Sequence, residues 1–215
     1  MHLKDFLKLH FIIFILGFTA ILGKLIQLQA VETVIYRSGI ATIGLGILLY
    51  LSKNKIIATR KTMIKMFFIG FVVAAHWITF FGAAKVSNVS VCLIGLSTMT
   101  LWTALLEPIF TDKKFSSFDA IFGIFVIYGL YILSNGDNET NELSSGNFII
   151  GLTMSIIAAA LASLFSVLNF TLVNRNQVHQ DTISFFEMLG AFVGCFFLLP
   201  LYKNVFFEEE ILFAL

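Results

Sequence analysis

Three basic side chains interrupt otherwise apolar stretches of this chain, at Lys24, Arg37 and His76. Ionisable residues inside apolar stretches are costly in a membrane and are therefore candidates for function. Counted along ideal helices, they lie about 8, 9 and 10 Å from the same predicted membrane surface. Such a group would bind a carboxylate or another anion. Tyr36 and Trp77 are predicted to line the apolar part of this substrate site.

Each of these residues also has a structural interpretation. Lys24 has a stem long enough to extend to the lipid headgroups. Arg37 could form a structural ion pair with Glu32, and His76 could be a neutral, hydrogen-bonded packing residue. Trp77 could pack in the bundle or contact lipid. The sequence leaves both interpretations open for every one of them.

Two acidic residues fall near the opposite ends of their stretches, at Glu107 and Glu187, and Asn169 lies at a similar depth. Glu107 precedes a basic loop, so an ion pair with Lys113 or Lys114 is its structural alternative. Glu187 has no obvious local partner. Glu107 and Glu187 are each predicted to be a structural charge or a coupling site, and for Glu187 the coupling ion would be a proton or another cation.

The composition indicates what kind of structural elements hold these side chains. Hydrophobic residues make up 58% of the 215 residues, charged residues only 13%, and the mean hydropathy is +0.92. Soluble domains are roughly 45–50% apolar and 25% charged, so this is a polytopic membrane protein. A net charge of +1 suggests no nucleic-acid partner. Cys92 and Cys195 lie in apolar stretches and are predicted to be packing residues.

Seven apolar stretches are long enough to cross a bilayer as helices, which predicts an all-α membrane bundle. They are 9–29, 31–51, 63–83, 86–108, 117–134, 147–173 and 182–201. We expect the third and fourth stretches to be joined by a tight turn at Gly82, Ala83 and Ala84. Lys85 and Asn88 are expected to lie at the water-exposed end of this hairpin. No deep role is expected for Lys85.

The distribution of charge predicts the orientation. Ten of the 14 basic residues fall on one side of the predicted spans. They are Lys4, Lys8, Lys53, Lys55, Arg60, Lys61, Lys65, Lys113, Lys114 and Arg175. The acidic loop 135–146 falls on the other side. Because cytoplasmic loops are enriched in Lys and Arg, the N-terminus is predicted to be cytoplasmic, in the plasma or inner membrane.

Several segments resemble a known family. The first span ends in "GFTAILGKLI", the second begins with "ETVIYRSGIA", the fourth ends in "TALLEPIF", and "FSSFDAIFGIFVIYGLYIL" follows a short basic loop. This pattern is similar to EamA-like transporters of the drug/metabolite transporter superfamily over residues 9 to about 134. In that family a Lys closes helix 1, an Arg opens helix 2, and a Glu ends helix 4. Many members also have a Pro in the middle of helix 4, where this chain reads "LSTMTLW" and has Pro108 at the helix end instead.

The resemblance implies ten helices in two inverted five-helix repeats. Residues 1–134 would form the first repeat, 135–146 an outer loop, and 147–215 part of the second. We expect "EEEILFAL" to contain an outer turn and the first residues of an eighth span, so that the sequence is C-terminally truncated.

The implied function is secondary transport by alternating access. The expected activity is the export of small metabolites such as amino acids or other carboxylate-bearing compounds. The lipid bilayer is the expected surrounding partner, and association of two copies is left open. No cofactor or metal is expected. The alternatives are a truncated membrane protein without transport activity and, less favoured, a seven-helix receptor. The spans contain no set of catalytic residues, so an enzyme is not expected.

Overall fold

The computed structural model describes residues 3–52, 58–136 and 146–213, and in these ranges it is helical and contains no strand. This confirms the predicted all-α membrane bundle. The helices are α1 (Leu3–Leu25), α2 (Ala30–Leu51), α3 (Arg60–Val86), α4 (Val89–Leu96), α5 (Met99–Phe110), α6 (Ser117–Gly136), α7 (Gly146–Asn176) and α8 (Gln180–Phe213). Lys53, Lys55 and most of the predicted acidic loop 135–146 lie outside the described residues.

Within the described ranges, six segments are long and apolar enough to cross a membrane. They are Lys4–Leu25, Ala30–Leu51, Arg60–Val86, Val89–Phe110, Asn147–Asn176 and Gln180–Leu199. The remaining predicted span, 117–134, corresponds to α6, whose apolar part Ser117–Gly129 is shorter. The apolar side chains that cover the outside of these helices are the surface that a bilayer would solvate.

The predicted fourth span is not one continuous helix, because it is divided into α4 and α5 at Ser97 and Thr98. The Ser97 hydroxyl donates to the Ile94 carbonyl, and the Thr98 hydroxyl donates to the Gly95 carbonyl. Hydroxyls that bind nearby carbonyls compete with the helical hydrogen bonds and favour such a break. The interruption therefore needs no proline, and Pro108 lies inside α5.

The turn between α3 and α4 also differs from the prediction. Gly82, Ala83 and Ala84 are buried within α3, and the chain reverses at Ser87 and Asn88. The small residues serve a helix contact instead, since a Cβ on Gly82 would overlap the Met154 side chain. The prediction of a turn at residues 82–84 was wrong because small residues permit close helix packing as readily as a turn.

The end of α8 differs from the prediction as well. We expected "EEEILFAL" to begin with a turn, but α8 continues as one helix through the described residues 208–213. Glu is a good helix former, so a run of three does not by itself end a helix.

Helix α3 is the centre of the bundle and packs on both α7 and α8, which barely contact each other. Helix α2 packs mainly on α8, while α4 and α5 pack on α7. The Ser163 hydroxyl of α7 donates to the Met99 carbonyl at 2.9 Å and accepts from the Thr103 hydroxyl at 3.1 Å. Each helix of residues 146–213 is thus held by helices that come earlier in the chain.

Both cysteines are buried in the same core cluster, as their apolar surroundings predict. This cluster also contains Val34 of α2, Phe81 of α3 and Ala158 of α7. A second, smaller cluster lies near the other end of α3. Its buried members are Met66, Ile69, Leu172, Val178 and Ile183.

Candidate functional site

Arg37 and Trp77 come together where α2 meets α3. The Arg37 guanidinium carbon lies 5.1 Å from the centroid of the Trp77 ring and 5.2 Å from that of Phe81. Both distances are within the range in which a cation is attracted to an aromatic face. Arg37 is exposed, and among the described residues no carboxylate forms an ion pair with it.

The guanidinium of Arg37 lies on a surface formed by the helices and aromatic rings around it. Helix α1 packs on α3 and α4, and α2 packs on α8 and α3, so both helices lie against α3. Phe81 is fully buried, and the side chain lies directly against Gly23 of α1. The rings of Trp77 and Phe81 therefore form a fixed aromatic surface on α3, and Arg37 covers part of it.

Glu32 does not form the ion pair with Arg37 that was considered as its structural interpretation. Its side chain turns back to the start of α2, where Oε2 accepts a hydrogen bond from the Gln29 backbone amide at 3.2 Å. Gln29 and Glu32 form a capping box there. This arrangement satisfies amide groups that a helix N-terminus otherwise leaves without partners.

His76 points away from Arg37 toward α7. It is buried, and Nδ1 forms a hydrogen bond with the Ala158 carbonyl at 2.8 Å. Its ring also contacts Phe80 and Phe165, with centroids 5.9 and 5.5 Å away. Consecutive residues of a helix point in directions about 100° apart, so Trp77 contacts Arg37 while His76 does not. The contacts of His76 match the packing interpretation.

Lys24 forms hydrogen bonds with the backbone at the end of α3. Its ammonium group donates to the backbone carbonyls of Lys85 and Ser87, both at 3.1 Å. Lys85 donates in return to the Ile26 carbonyl at 2.8 Å. The two lysines therefore bind carbonyls at the C-terminal ends of each other's helices, where positive charge is favourable. We name Lys24 and Lys85 the lysine pair.

Of two further predicted residues, Tyr36 is exposed and Glu107 is partly buried. Tyr36 is 61% exposed on α2, so it lies on the outside of the bundle. Glu107 forms an ion pair with Lys113, at 2.5 Å, which is the structural alternative considered for it. The Lys113 ammonium also lies 4.6 Å from the centroid of the Phe170 ring, which ties the end of α5 to α7.

Glu187 is the most deeply buried of the predicted acidic residues, at 5% exposure. Its Oε2 accepts a hydrogen bond from Asn169 Nδ2 at 3.2 Å, which links α8 to α7. Glu187 Oε1 and Asn169 Oδ1 are both buried without a hydrogen-bond partner in the described part of the chain. The sequence placed both residues at a similar depth but did not indicate that they touch. We name them the carboxylate–amide pair.

The indole N–H of Trp102 is a further buried polar group, and the sequence did not indicate it as a candidate. The Nε1 atom is buried and lacks a hydrogen-bond partner among the described residues. Its position within an apolar stretch resembles that of any packing tryptophan, so no signal distinguished it. Within the described ranges, no three His, Cys, Asp or Glu side chains are grouped as a metal site would require.

A bundle of membrane-length helices defines a polytopic membrane protein. The family model of the EamA-like transporter family matches residues 7–135. That is more than half of the chain, and the chain belongs to this family. It is a membrane transporter of the drug/metabolite type. Comparisons with curated proteins and with solved structures find no match.

Proposed function

We propose that the protein exports small carboxylate-bearing metabolites, such as amino acids, by alternating access, with Arg37 binding the carboxylate and Trp77 lining the site. The observation that supports this most is the position of Arg37 over Trp77 and Phe81 without an acidic partner in the described ranges. A basic side chain within a membrane span that has no such partner is a strong candidate for binding a charged substrate.

The chemistry of the guanidinium fits this role. It is planar, and its N–H groups form a fork that matches the two oxygens of a carboxylate. The rings of Trp77 and Phe81 attract the charge through their faces and do not accept these N–H bonds in the way a carboxylate would. Arg37 can thus be held in place and still bind a substrate. The structure does not bring Lys24, His76 or Tyr36 to this group, so the proposal depends on Arg37 and Trp77.

We further propose that the N-terminus is cytoplasmic, in a plasma or inner membrane. The support is the basic character of one end of the bundle. This end has Lys4 and Lys8 at the start of α1, Arg60 and Lys61 at the start of α3, and Arg175 near the end of α7. Arg37 lies seven residues from the opposite end of α2, about 10 Å along the helix, and so belongs to the outer half.

The repeat boundaries are part of the proposal. Residues 1–134 would form the first repeat and residues 147–215 would belong to the second. The packing of α7 and α8 on α2, α3, α4 and α5 supports a shared transport path between the two segments. Inverted repeats in transporters place their substrate sites at such an interface.

The experiment is a transport screen of carboxylates and their neutral amide analogues, measured with the full chain in proteoliposomes in both directions. We expect transport of a carboxylate and not of its amide. Arg37→Ala should lower the rate about tenfold to a hundredfold, as expected for the loss of charge-assisted hydrogen bonds. Arg37→Lys should also be impaired, because an ammonium group lacks the fork.

The matched control is Arg175→Lys, because Arg175 is exposed and pairs with Asp112 at 2.8 Å at the other end of the bundle. It should transport at the rate of the unchanged protein. Full activity of Arg37→Ala at equal protein yield would remove Arg37 from the substrate site.

A further inference from the structure

The carboxylate–amide pair is a buried polar site away from Arg37. Glu187 lies seven residues after the start of α8, and Asn169 lies seven residues before the end of α7. Both are thus about 10 Å from the basic end of the bundle, whereas Arg37 lies in the other half. Two oxygen atoms of this pair, one from each residue, have no hydrogen-bond partner in the described part of the chain.

Among the described residues of the helices packed around Glu187, no positive charge compensates its carboxylate. On α3, Lys65 is exposed and His76 is bonded to the Ala158 carbonyl. On α7, Arg175 pairs with Asp112, and at the start of α8 His179 pairs with Asp181. On α2, Tyr50 is the one titratable group between Arg37 and Leu51, and it is 84% exposed.

Helix α3 packs directly on the backbone of α8 at Glu187. A Cβ on Gly70 would overlap the Glu187 carbonyl oxygen and would lie 2.8 Å from the Ala191 amide nitrogen. Helices α3 and α8 are therefore in backbone contact at this level. Glu187 is also only 5% exposed, so its carboxylate is costly in the charged form.

We infer that the carboxylate–amide pair is a proton-binding site, and that Glu187 takes up and releases one proton during the transport cycle. This rests on the proposed transport function. Uptake forms an O–H bond on the carboxylate and removes its negative charge, and release restores the carboxylate. Asn169 Nδ2 stabilises the charged form through Oε2, while protonation of the unpartnered Oε1 turns that atom into a donor in a site whose other unpartnered oxygen is Asn169 Oδ1.

The oxygen atoms of the carboxylate–amide pair are better suited to bind a proton than a metal ion. Calcium takes six to eight oxygen ligands and magnesium about six, in near-octahedral geometry. The pair supplies one carboxylate and one amide oxygen, and the carbonyl groups within α7 and α8 take part in helical hydrogen bonds. A proton needs only one of these acceptors.

The packing also links this site to Arg37. Helix α2, which carries Arg37, rests on α8 through two glycines. A Cβ on Gly39 would lie 3.1 Å from Phe192, and one on Gly46 would lie 3.3 Å from Phe185. Phe185 is two residues from Glu187, so the contact between α2 and α8 lies close to the carboxylate–amide pair.

The first test needs no substrate. The infrared band of a protonated carboxyl group is measured with the full chain in lipid nanodiscs across a pH titration. We expect a buried carboxyl band that is lost in Glu187→Gln and kept in the matched control Glu107→Gln. Asn169→Ala should shift the band without removing it. No band difference between the unchanged protein and Glu187→Gln, or no shift in Asn169→Ala, would overturn the proton site.

The second test measures coupling in proteoliposomes with an imposed pH gradient, using the substrate found in the transport screen. The gradient should accelerate transport by the unchanged protein and by Glu107→Gln but not by Glu187→Gln. Equal acceleration in all three would contradict coupling and leave the role of Arg37 standing. If no carboxylate is transported at all, the proposed function fails, while the infrared titration still decides whether Glu187 binds a proton.

Discussion

Gly190 of α8 lies directly on Gly70 of α3, so that a Cβ on Gly190 would be 3.3 Å from the Gly70 Cα atom. The same Cβ would overlap the Phe67 carbonyl oxygen, and a Cβ on Gly70 would overlap the Glu187 carbonyl oxygen. The two helices therefore touch backbone to backbone. Small residues make this approach feasible within lipid, where close packing contributes to helix association.

Gly190→Ala should destabilise the bundle at this contact. The added methyl group meets backbone atoms, which cannot turn aside as a flexible side chain can. We expect a cost of about 1–3 kcal/mol in the free energy of unfolding, as for other overpacked sites. The measurement is the thermal unfolding midpoint of the purified protein in detergent.

Gly44→Ala is the matched control, because a Cβ at Gly44 would meet no atom within 4 Å. It should unfold at or above the midpoint of the unchanged protein, since alanine favours helices more than glycine does. A Gly190→Ala protein as stable as Gly44→Ala would mean that α3 and α8 do not touch at Gly70.

The apolar stretches were sufficient to predict most of this fold. Helix length and hydropathy depend on local composition, and for that reason the membrane-length helices were found. The break at Ser97 and Thr98 was missed because serine and threonine can remain within a helix or compete for its carbonyls. Likewise, Gly82 gave no indication of whether it served a turn or a helix contact.

The candidate site was harder to predict, because depth along a helix does not give direction around it. His76 and Trp77 are adjacent in sequence and similar in depth, yet one contacts Ala158 and the other Arg37. The contact between Asn169 and Glu187 depends on how α7 and α8 are placed around α3. The spacing of these residues in the sequence does not indicate this tertiary arrangement.

The lysine pair should hold the ends of α1 and α3 together. Lys24→Met combined with Lys85→Met keeps most of the apolar stems and removes three hydrogen bonds to carbonyl groups. Because these contacts are exposed, we expect a change below about 1 kcal/mol in global stability. Backbone amide exchange should nevertheless become faster at residues 26–29 and 85–88, as measured by hydrogen–deuterium exchange with mass spectrometry.

Lys114→Met serves as the control for lost positive charge, because Lys114 is exposed at the other end of the bundle. Exchange at residues 26–29 and 85–88 should stay unchanged in it. Equal exchange in the double variant and the unchanged protein would show that the lysine pair does not restrain these ends.

The proposed orientation predicts opposite labelling of two introduced cysteines. Gln27 and Lys114 are both exposed and lie at opposite ends of the bundle, while the native Cys92 and Cys195 are buried and should label poorly. A membrane-impermeant maleimide should label Gln27→Cys in intact cells. It should label Lys114→Cys only after the membrane is permeabilised, because the basic end is expected to face the cytoplasm. The reverse pattern would place the N-terminus outside, and Arg37 would then belong to the cytoplasmic half.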